Sequence, residues 1–388
     1  MININSIKYM KRQFTFLSVL FLISISLFAS NNTENKKKYY NPKQILATVE
    51  KVADWQLNSW KKDGMIYPKW DWTNAAGYVG MYHLGTISKK SDYHDILLSI
   101  SKELDWNTGP ERFYADDYCI GYTYSKLSLK HKDPKMITRF RLLADSIVAQ
   151  PHTESLEWKN EINHREWAWC DALFMAPPAL SMLSIATKDP KYLEITDKLW
   201  WKTYDYLYDK EEHLYYRDGS NFTKREANGQ KVFWSRGNGW VMAGLVLLLD
   251  NMPKNYSTRA KYISLYKEMA AKMASIQQPD GSWHTSLLDP ERFDVIETSG
   301  TGFYTYAILW GLNNGTLDKA TYLPVALKAW KALESAIQPN GMLGYVQPIG
   351  WQPAAATQSS TAIFGVGAFL LAGTEMYKYT KKSKIAKN

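Results

Sequence analysis

One carboxylate of the chain is flanked in sequence almost entirely by apolar residues. Asp171 lies within the stretch WAWCDALFMAPP, which runs from Trp167 to Pro178. A buried carboxylate without a partner is costly, so such a residue is either paired or placed at the rim of a cavity. An apolar setting also raises a carboxyl pKa, which keeps a proton available for general acid catalysis near neutral pH. Asp171 is therefore the leading candidate for a proton donor, and a helix N-cap is its structural alternative.

A second carboxylate is offered by the stretch ADDY at residues 115–118. Two carboxylates that share a site raise the pKa of one of them further. Asp116 fits the role of a helix N-cap better than its neighbour does. The sequence therefore favours Asp117 as the partner of Asp171, with Asp116 kept as the alternative.

The stretch WSRGNGW, from Trp234 to Trp240, offers groups suited to binding a sugar acid. The guanidinium of Arg236 can form paired hydrogen bonds with a carboxylate, or it can serve as a structural ion-pair partner. The chain holds 16 Trp and 26 Tyr, and such rings either stack on sugars or fill the core. The predicted substrate-binding residues are Arg236, Asn238, Trp240, Trp234, Trp169, Trp72, Asn74, His164, His284 and Tyr67.

Six similar segments would position these side chains. Each opens with polar or small residues and continues as an almost entirely apolar run, starting near residues 72, 115, 169, 234, 297 and 358. Helices that are apolar all round are buried. A longer stretch with apolar residues at three- and four-residue spacing precedes each segment, which indicates a half-exposed helix. A repeat of roughly 40–65 residues is typical of stacked helical pairs.

The predicted fold is all-α: an (α/α)6 six-hairpin toroid of twelve helices in two concentric layers, with the buried helices inside. Turn signals such as QQPDGSWH (277–284) lie on connections that lead into inner helices. The polar openings of the inner helices should therefore converge on one cavity. Pro177 and Pro178 should kink the third inner helix or restart it, because proline lacks the N–H of a helix interior.

The ends of the chain differ from its body. Residues 1–30 are predicted to be a signal peptide, with a basic start, an apolar run and a small-residue end. A polar linker (31–40), a catalytic domain (41–378) and a basic tail (379–388) follow. Residues 1–38 and 378–388 together carry a net charge of +10, against +9 for the whole chain. The body is therefore about neutral, and nucleic-acid binding is not expected. We expect an exported protein, periplasmic or secreted, that is a monomer or homodimer and has no membrane contact beyond the signal segment.

The two cysteines, Cys119 and Cys170, are predicted to be buried thiols, although export would permit a disulfide. The sequence contains neither CxxC nor HExxH spacing. We therefore expect no metal and no cofactor.

The WCDALFMAPP and WSRGNGW stretches, on a twelve-helix pattern, resemble the unsaturated rhamnogalacturonyl hydrolases of glycoside hydrolase family 105. The unsaturated glucuronyl hydrolases of family 88 are relatives, and the resemblance covers about residues 40–378. It implies a toroid that removes a 4,5-unsaturated uronic acid from the non-reducing end of oligosaccharides left by polysaccharide lyases. The substrates implied are of the pectic rhamnogalacturonan or ulvan type.

The resemblance also implies how the residues act. Asp171 would protonate C4 of the enol ether and then serve as base for the water that adds at C5, and the second acid falls at Asp116 or Asp117. Members of the family often carry a histidine in the connection before the Arg-Gly-Asn motif. Here His213 precedes the LYY segment of that connection and Arg217 follows it, so the aglycone preference stays open.

Three other functions fit the same pattern. An inverting glycosidase would use Asp117 and Asp171 as acid and base on saturated glycosides. A sugar epimerase on the same toroid would be expected to use a histidine pair, whereas these helix openings offer Asp. A non-catalytic glycan-binding protein would keep its binding after Asp171→Asn and would have no turnover to lose.

Overall fold

The computed structural model of the protein describes residues 41–157 and 166–385. Within these residues outer and inner α-helices alternate along the chain, which confirms the predicted all-α toroid. The outer helices are α1 (Pro42–Asp63), α3 (Asp92–Glu103), α5 (Thr138–Val148), α8 (Lys191–Leu207), α10 (Arg259–Ser275) and α12 (Lys319–Ser335). The inner helices are α2 (Trp72–Gly85), α4 (Ile120–His131), α6 with α7 (Ala172–Met175, Pro177–Thr187), α9 (Ser235–Asn251), α11 (Thr298–Asn314) and α13 (Ile363–Ile385).

Of the segments predicted at the two ends of the chain, only the C-terminal one falls largely within the described residues. The signal peptide at 1–30 and the linker at 31–40 lie outside the described residues. The predicted basic tail, from 379, begins inside α13, which continues to Ile385. Among the described helices, none combines the length and the apolar content that a membrane span requires.

The two sets of helices differ in burial as their patterns predict. Outer helix α1 buries Ile45, Val49 and Val52 on one face, at the spacing of an amphipathic helix. Its N-cap Asn41 accepts hydrogen bonds from the backbone N–H groups of two first-turn residues, which satisfies donors that the helix leaves open. Inner helix α11, by contrast, is buried at every position from Thr298 to Gly311.

The inner helices close into a ring. Neighbours pack together from α2 through α4, α7, α9 and α11 to α13, and α13 packs in turn against α2. Glycines allow the backbones to approach at this seam, because a β-carbon on Gly80 would lie 2.4 Å from the carbonyl oxygen of Gly367. The outer helices lie on this ring, with α1 against α13, α8 against α7 and α12 against α11.

A Gly80→Ala variant should test the seam. The added methyl group would meet backbone atoms of Gly367 rather than a side chain that can turn away. We expect a loss of about 1–3 kcal/mol in the free energy of unfolding, as for other overpacked interiors, measured by denaturant unfolding. Gly350→Ala is the matched control, since a β-carbon there would meet only atoms at 3.7 Å or beyond. Equal stabilities of the two variants would contradict the close contact.

The third inner helix is interrupted where the prolines predict. Helix α6 ends at Met175, and α7 begins at Pro177, with Ala176 between them. Proline suits the first turn of a helix, where its missing N–H would have no partner. The break separates the short helix α6, which follows Asp171, from the longer buried helix α7. The direction of α6 is therefore not fixed by the axis of α7.

The connections that lead into the inner helices bond to one another. The backbone N–H of Cys170 donates to the carbonyl oxygen of Arg217, that of Ser235 to Thr285, and that of Thr298 to Tyr345. A short hairpin of β1 (Tyr208–Asp209) and β2 (Leu214–Tyr215) belongs to this set. These cross-links hold neighbouring connections together on one face of the toroid, as the sequence predicts.

Candidate active site

Asp171 lies where α6 begins, at the N-cap position, but its side chain makes no capping hydrogen bond. The side chain is 13% exposed, and its Oδ2 lies 3.6 Å from Nε of Arg217. The Cys170 thiol donates to the same oxygen at 3.5 Å. Burial raises the pKa of Asp171, against the opposing charges of Arg217 and Arg236. The carboxyl group therefore lies at a buried position where its protonated form is favoured, and it does not cap its helix.

Asp116 is the second acid at this place. It lies in a 3-10 turn, Ala115–Tyr118, that leads into α4, and it is buried. Burial raises its pKa to about 8, with the phenol of Tyr114 acting against the shift by hydrogen bonding and the charge of Asp171 adding to it. Its Oδ1 has no hydrogen-bond partner among the described residues. The two carboxyls thus interact, and such a pair titrates as a unit.

Asp117, which the sequence favoured, is directed elsewhere. Its Oδ2 accepts a hydrogen bond of 2.6 Å from the backbone N–H of Glu111, and a β-carbon on Gly109 would overlap its carboxylate. Burial raises its pKa to about 6, and the charges that add to the shift belong to Glu111 and Asp71. The preference for Asp117 over its neighbour is therefore corrected: Asp116 interacts with Asp171, and Asp117 fastens the connection before α4.

Arg217 is a site residue to which the sequence assigned no role. Its Nη1 contacts Oδ2 of Asp218 at 2.8 Å, while its Nε faces Asp171. An isolated antiparallel β-bridge between Trp169 and Asp218 holds the segment that contains Arg217 beside the start of α6. A cation followed by an acid in a connection between helices is too common a pattern to single out. Only the pairing of two distant connections places this charge next to Asp171.

Arg236 has other partners than the predicted substrate carboxylate. Its Nη1 donates to the carbonyl oxygen of Gln347 at 2.6 Å, and its Nη2 donates to that of Pro348 at 3.0 Å. The guanidinium lies 4.5 Å from the ring of Trp234 and 4.9 Å from that of Phe364. Burial lowers its pKa to about 10. Nη1 and Nη2 thus hold the connection before α13, while Nε has no hydrogen-bond partner among the described residues. The binding of a substrate carboxylate by Arg236 stays a prediction.

Two further residues of the WSRGNGW stretch also serve the fold. Asn238 is fully buried, accepts from the backbone N–H of Tyr215 at 2.7 Å and donates to its carbonyl oxygen at 3.0 Å. It fastens β2 onto α9. Trp240 is 1% exposed and packs against Phe174 and Phe303, with ring centroids at 4.6 Å and 4.4 Å. Both side chains are thus buried in contacts within the protein, and their roles in substrate binding stay predictions.

The remaining tryptophans are distributed around the site. Trp169 is buried and stacks on Tyr114, whose phenol bonds to Asp116. Trp234 is buried, and its Nε1 donates to Oε1 of Gln347 at 2.8 Å. Trp72 is half-buried and stacks on Phe364. Trp72 is therefore the partly exposed tryptophan of the three, while Trp169 and Trp234 are buried.

The other predicted binding residues have structural contacts. Asn74 is buried and donates to the carbonyl oxygens of Tyr67 and Pro68, so it shapes the connection before α2. Tyr67 itself is 40% exposed. His284 is buried; its Nδ1 contacts the carbonyl oxygen of Pro290 at 3.0 Å, and its Nε2 lies 3.7 Å from Asp280. His164 lies outside the described residues.

The sequence did not single out Glu297, which holds the start of α11 and the connection before α13. It is fully buried and caps α11 by accepting from the backbone N–H groups of Ser299 and Gly300. The same carboxylate accepts from the N–H of Gln347 at 3.1 Å, and its charge raises the pKa of Arg236 against the effect of burial. The signal available was the Glu-Thr-Ser-Gly opening before an apolar run, but Glu is not among the favoured N-caps.

The two cysteines are buried free thiols, as predicted. Cys170 lies beside Asp171, and burial raises its pKa well above the usual value. A thiol kept in its neutral form by burial is a weak nucleophile. Cys170 is therefore not expected to act as a nucleophile.

At one end of the ring of buried helices lie two buried acids, Asp171 and Asp116, and the charge of Asp171 adds to the raised pKa of Asp116. The chain belongs to Glycosyl Hydrolase Family 88, whose family model matches residues 48–380, and it is a glycoside hydrolase. The resemblance of its motifs to families 105 and 88 is thereby confirmed.

Individual relatives cover most of the chain. It is 39% identical over 354 residues to an unsaturated 3S-rhamnoglycuronyl hydrolase of Formosa agariphila, which covers 88% of this chain and 93% of the relative. A relative of the same name from an Alteromonas species is 33% identical over 322 residues, covering 80% of this chain and 78% of the relative. A solved structure described as a polysaccharide lyase superposes with a TM-score of 0.79 at 32% identity, over 88% of this chain and 98% of its own.

Proposed function

We propose that this protein removes a 4,5-unsaturated uronic acid from the non-reducing end of lyase-generated oligosaccharides, by hydrating the double bond. The observation that carries the proposal is the pair of buried acids, Asp171 and Asp116, with raised pKa values at the opening of the toroid. Protonation of an alkene carbon needs a strong proton donor that is still protonated near neutral pH. The two relatives that act on unsaturated rhamnoglycuronyl groups support the choice of substrate.

In the proposed reaction the proton of Asp171 passes to C4 of the enol ether, and positive charge develops at C5 and the ring oxygen. Water then adds at C5 and gives its proton to the carboxylate of Asp171. The hemiketal collapses, the ring opens, and the aglycone leaves with a free hydroxyl group. Arg217, 3.6 Å from Asp171, stabilises the carboxylate that exists between the two proton transfers.

Asp116 has a supporting role in this proposal. Its carboxyl disfavours a second negative charge at the site, so the pair keeps a proton when an anionic uronic acid enters. Tyr114 holds Asp116 by a hydrogen bond and stacks on Trp169, which keeps the two acids in one orientation. The leaving sugar proposed, by similarity to the relatives, is a rhamnose.

The test is absorbance of the conjugated alkene during incubation with lyase-generated ulvan and pectic oligosaccharides. Loss of absorbance with release of a saturated sugar supports hydration. A rise in absorbance on an uncut polysaccharide would support lyase activity instead, which the similar structure described as a lyase keeps as the second candidate. Release of sugar from saturated glycosides alone would identify an ordinary glycosidase.

The pH profile should show a basic limb set by the acid pair. The reaction needs a protonated carboxyl, and the pKa of Asp116 is raised to about 8. We therefore expect kcat/KM to fall tenfold per pH unit above about pH 8, as the pair loses its last proton. Rates measured from about pH 5 to about pH 10, with folding checked by circular dichroism, would reveal the limb. Undiminished activity at the alkaline end would contradict an acid pair that donates the proton.

A further inference from the structure

The carboxylate group of the proposed substrate must lie close to Asp171. In a 4,5-unsaturated uronic acid this group is bonded to C5, and the proton is delivered to the neighbouring carbon, C4. Reacting atoms approach to within about 3–3.5 Å before they react. The carboxylate of the bound sugar therefore lies within a few ångströms of Asp171, whatever the leaving sugar is.

Two cations act on Asp171, and they differ in how well a solute can reach them. Burial raises the pKa of Asp171, and the charges that oppose this shift are those of Arg217 first and Arg236 second. The Nε of Arg217 lies 3.6 Å from Oδ2 of Asp171, and the Arg217 side chain is 18% exposed. Arg236 is 1% exposed, and both of its Nη groups donate to backbone carbonyl oxygens. Of these two cations, Arg217 is thus the more accessible to a sugar in the site.

The guanidinium of Arg217 is held in place before any substrate binds. Its Nη1 donates to Oδ2 of Asp218 at 2.8 Å, and Oδ1 of the same carboxylate accepts from the backbone N–H of Ser220 at 2.8 Å. The backbone carbonyl oxygen of Arg217 accepts from the N–H of Cys170 at 2.8 Å. A binding group that is already fixed loses little conformational freedom when it meets its ligand, which favours binding.

The balance of charge around Arg217 changes when Asp171 carries its proton. Although burial acts to lower it, the pKa of Arg217 is raised, first by the charge of Asp171 and then by Asp218. The proposed reaction begins with Asp171 protonated, and this form lacks the first of those two negative charges. An anionic group that enters the site replaces it. A bound carboxylate beside Arg217 and a protonated Asp171 therefore favour each other.

We propose that Arg217 binds the carboxylate group of the unsaturated uronic acid, so that C4 of the double bond lies at Asp171. The inference rests on the proposed function, because it requires the uronic acid to react at Asp171. A guanidinium suits this task, since it stays charged at all working pH values and pairs with a carboxylate through parallel N–H donors. The role that the sequence assigned to Arg236 then belongs to a residue of another connection, the one between β2 and α9.

The experiment compares one unsaturated disaccharide with its uronamide, in which a neutral amide replaces the carboxylate group. Both keep the conjugated alkene, so loss of absorbance follows either one. The preference for the acid is the ratio of the two kcat/KM values, and we expect Arg217→Gln to lower this ratio by about 10–100-fold. The intrinsic difference in reactivity between the two alkenes is the same in each protein and cancels. The effect of Arg217 on the carboxylate of Asp171 cancels as well, because it acts on both substrates.

Arg217→His supplies a second readout that a structural role would not move. An imidazole is charged only below a pKa of about 6.5, so the preference for the acid should be larger at about pH 5.5 than at about pH 8. The unchanged protein should show one preference at both values, since its guanidinium stays charged. The ionisations of the free protein affect kcat/KM for both substrates equally, so they leave the ratio unchanged.

Arg141→Gln is the matched control. It removes the same charge from an exposed position on α5, and it should leave the preference as it is. A loss there as large as in Arg217→Gln would indicate a general charge effect and would overturn the inference.

Two further results would overturn the assignment of Arg217. One is an unchanged preference in Arg217→Gln, or a preference independent of pH in Arg217→His, which would return the carboxylate to Arg236. The other is a loss of folding in both Arg217 variants, seen in thermal melts, which would assign Arg217 to the fold. Failure of the unchanged protein to consume the acid is a different result, and it would overturn the proposed function together with this assignment.

Discussion

An Asp171→Asn variant should lose about 10²–10⁴-fold in kcat and keep its fold, because an amide of the same shape cannot donate a proton to carbon. The side chain makes no capping hydrogen bond, so its helix does not depend on the charge. Removal of a carboxyl that burial disfavours as an anion should leave the melting temperature unchanged or slightly raised. Single-turnover rates on an unsaturated disaccharide, beside a thermal melt, measure both effects.

The two neighbouring acids provide controls for this experiment. Asp117→Asn is the same chemical change at a carboxylate bonded to Glu111, and its kcat should stay within about tenfold of the unchanged protein. Asp116→Asn should reduce kcat and shift the basic limb of the pH profile to lower pH, because Asp171 then titrates without a like charge beside it. A larger loss from Asp117→Asn than from Asp116→Asn would restore the choice that the sequence favoured.

The largest loss of stability is expected from Glu297→Ala. The carboxylate accepts from Ser299, Gly300 and Gln347, and it is the acid that offsets the charge of Arg236. Truncation leaves the buried donors of Ser299, Gly300 and Gln347 without this acceptor. Each buried polar group left without a partner costs about 1–3 kcal/mol, so we expect the free energy of unfolding, measured with urea, to fall by at least about 3 kcal/mol.

Asp318→Ala provides the comparison, since Asp318 is also a helix N-cap and accepts from the backbone N–H of Thr321. Its side chain is exposed, so water can replace the lost acceptor, and the loss should be much smaller. Similar losses from the two substitutions would show that Glu297 acts only as a cap. Its link to Arg236 and to the connection before α13 would then contribute nothing measurable.

The fold was predictable because the residue pattern within each inner segment is enough to indicate a buried helix. A run such as Thr298 to Gly311 is apolar nearly throughout and is buried at every position, and the outer segments show one apolar face. Pro177 marked the break between α6 and α7 for an equally local reason. Asp171 was predictable as well, since its apolar neighbours are adjacent in sequence and account for the direction of its pKa shift.

The errors at the site arise from partners that are distant in sequence. Arg236 bonds to carbonyl oxygens 111 and 112 residues away, and nothing in WSRGNGW indicates these backbone partners. Asp116 and Asp117 differ by one step of a 3-10 turn, which rotates a side chain by about a third of a circle. Their order could not be decided without the turn itself. Arg217 reaches Asp171 only because two connections pair.

The seam between Gly80 and Gly367 has a consequence for the order in which the chain can fold. Each hairpin can form from contacts close in sequence, but α2 gains its second inner neighbour only when α13 has emerged and docked. Closing a loop that spans most of the chain is entropically costly and slow. An open ring, with the glycine faces of α2 and α13 uncovered, should therefore be the last intermediate and the species most prone to aggregation.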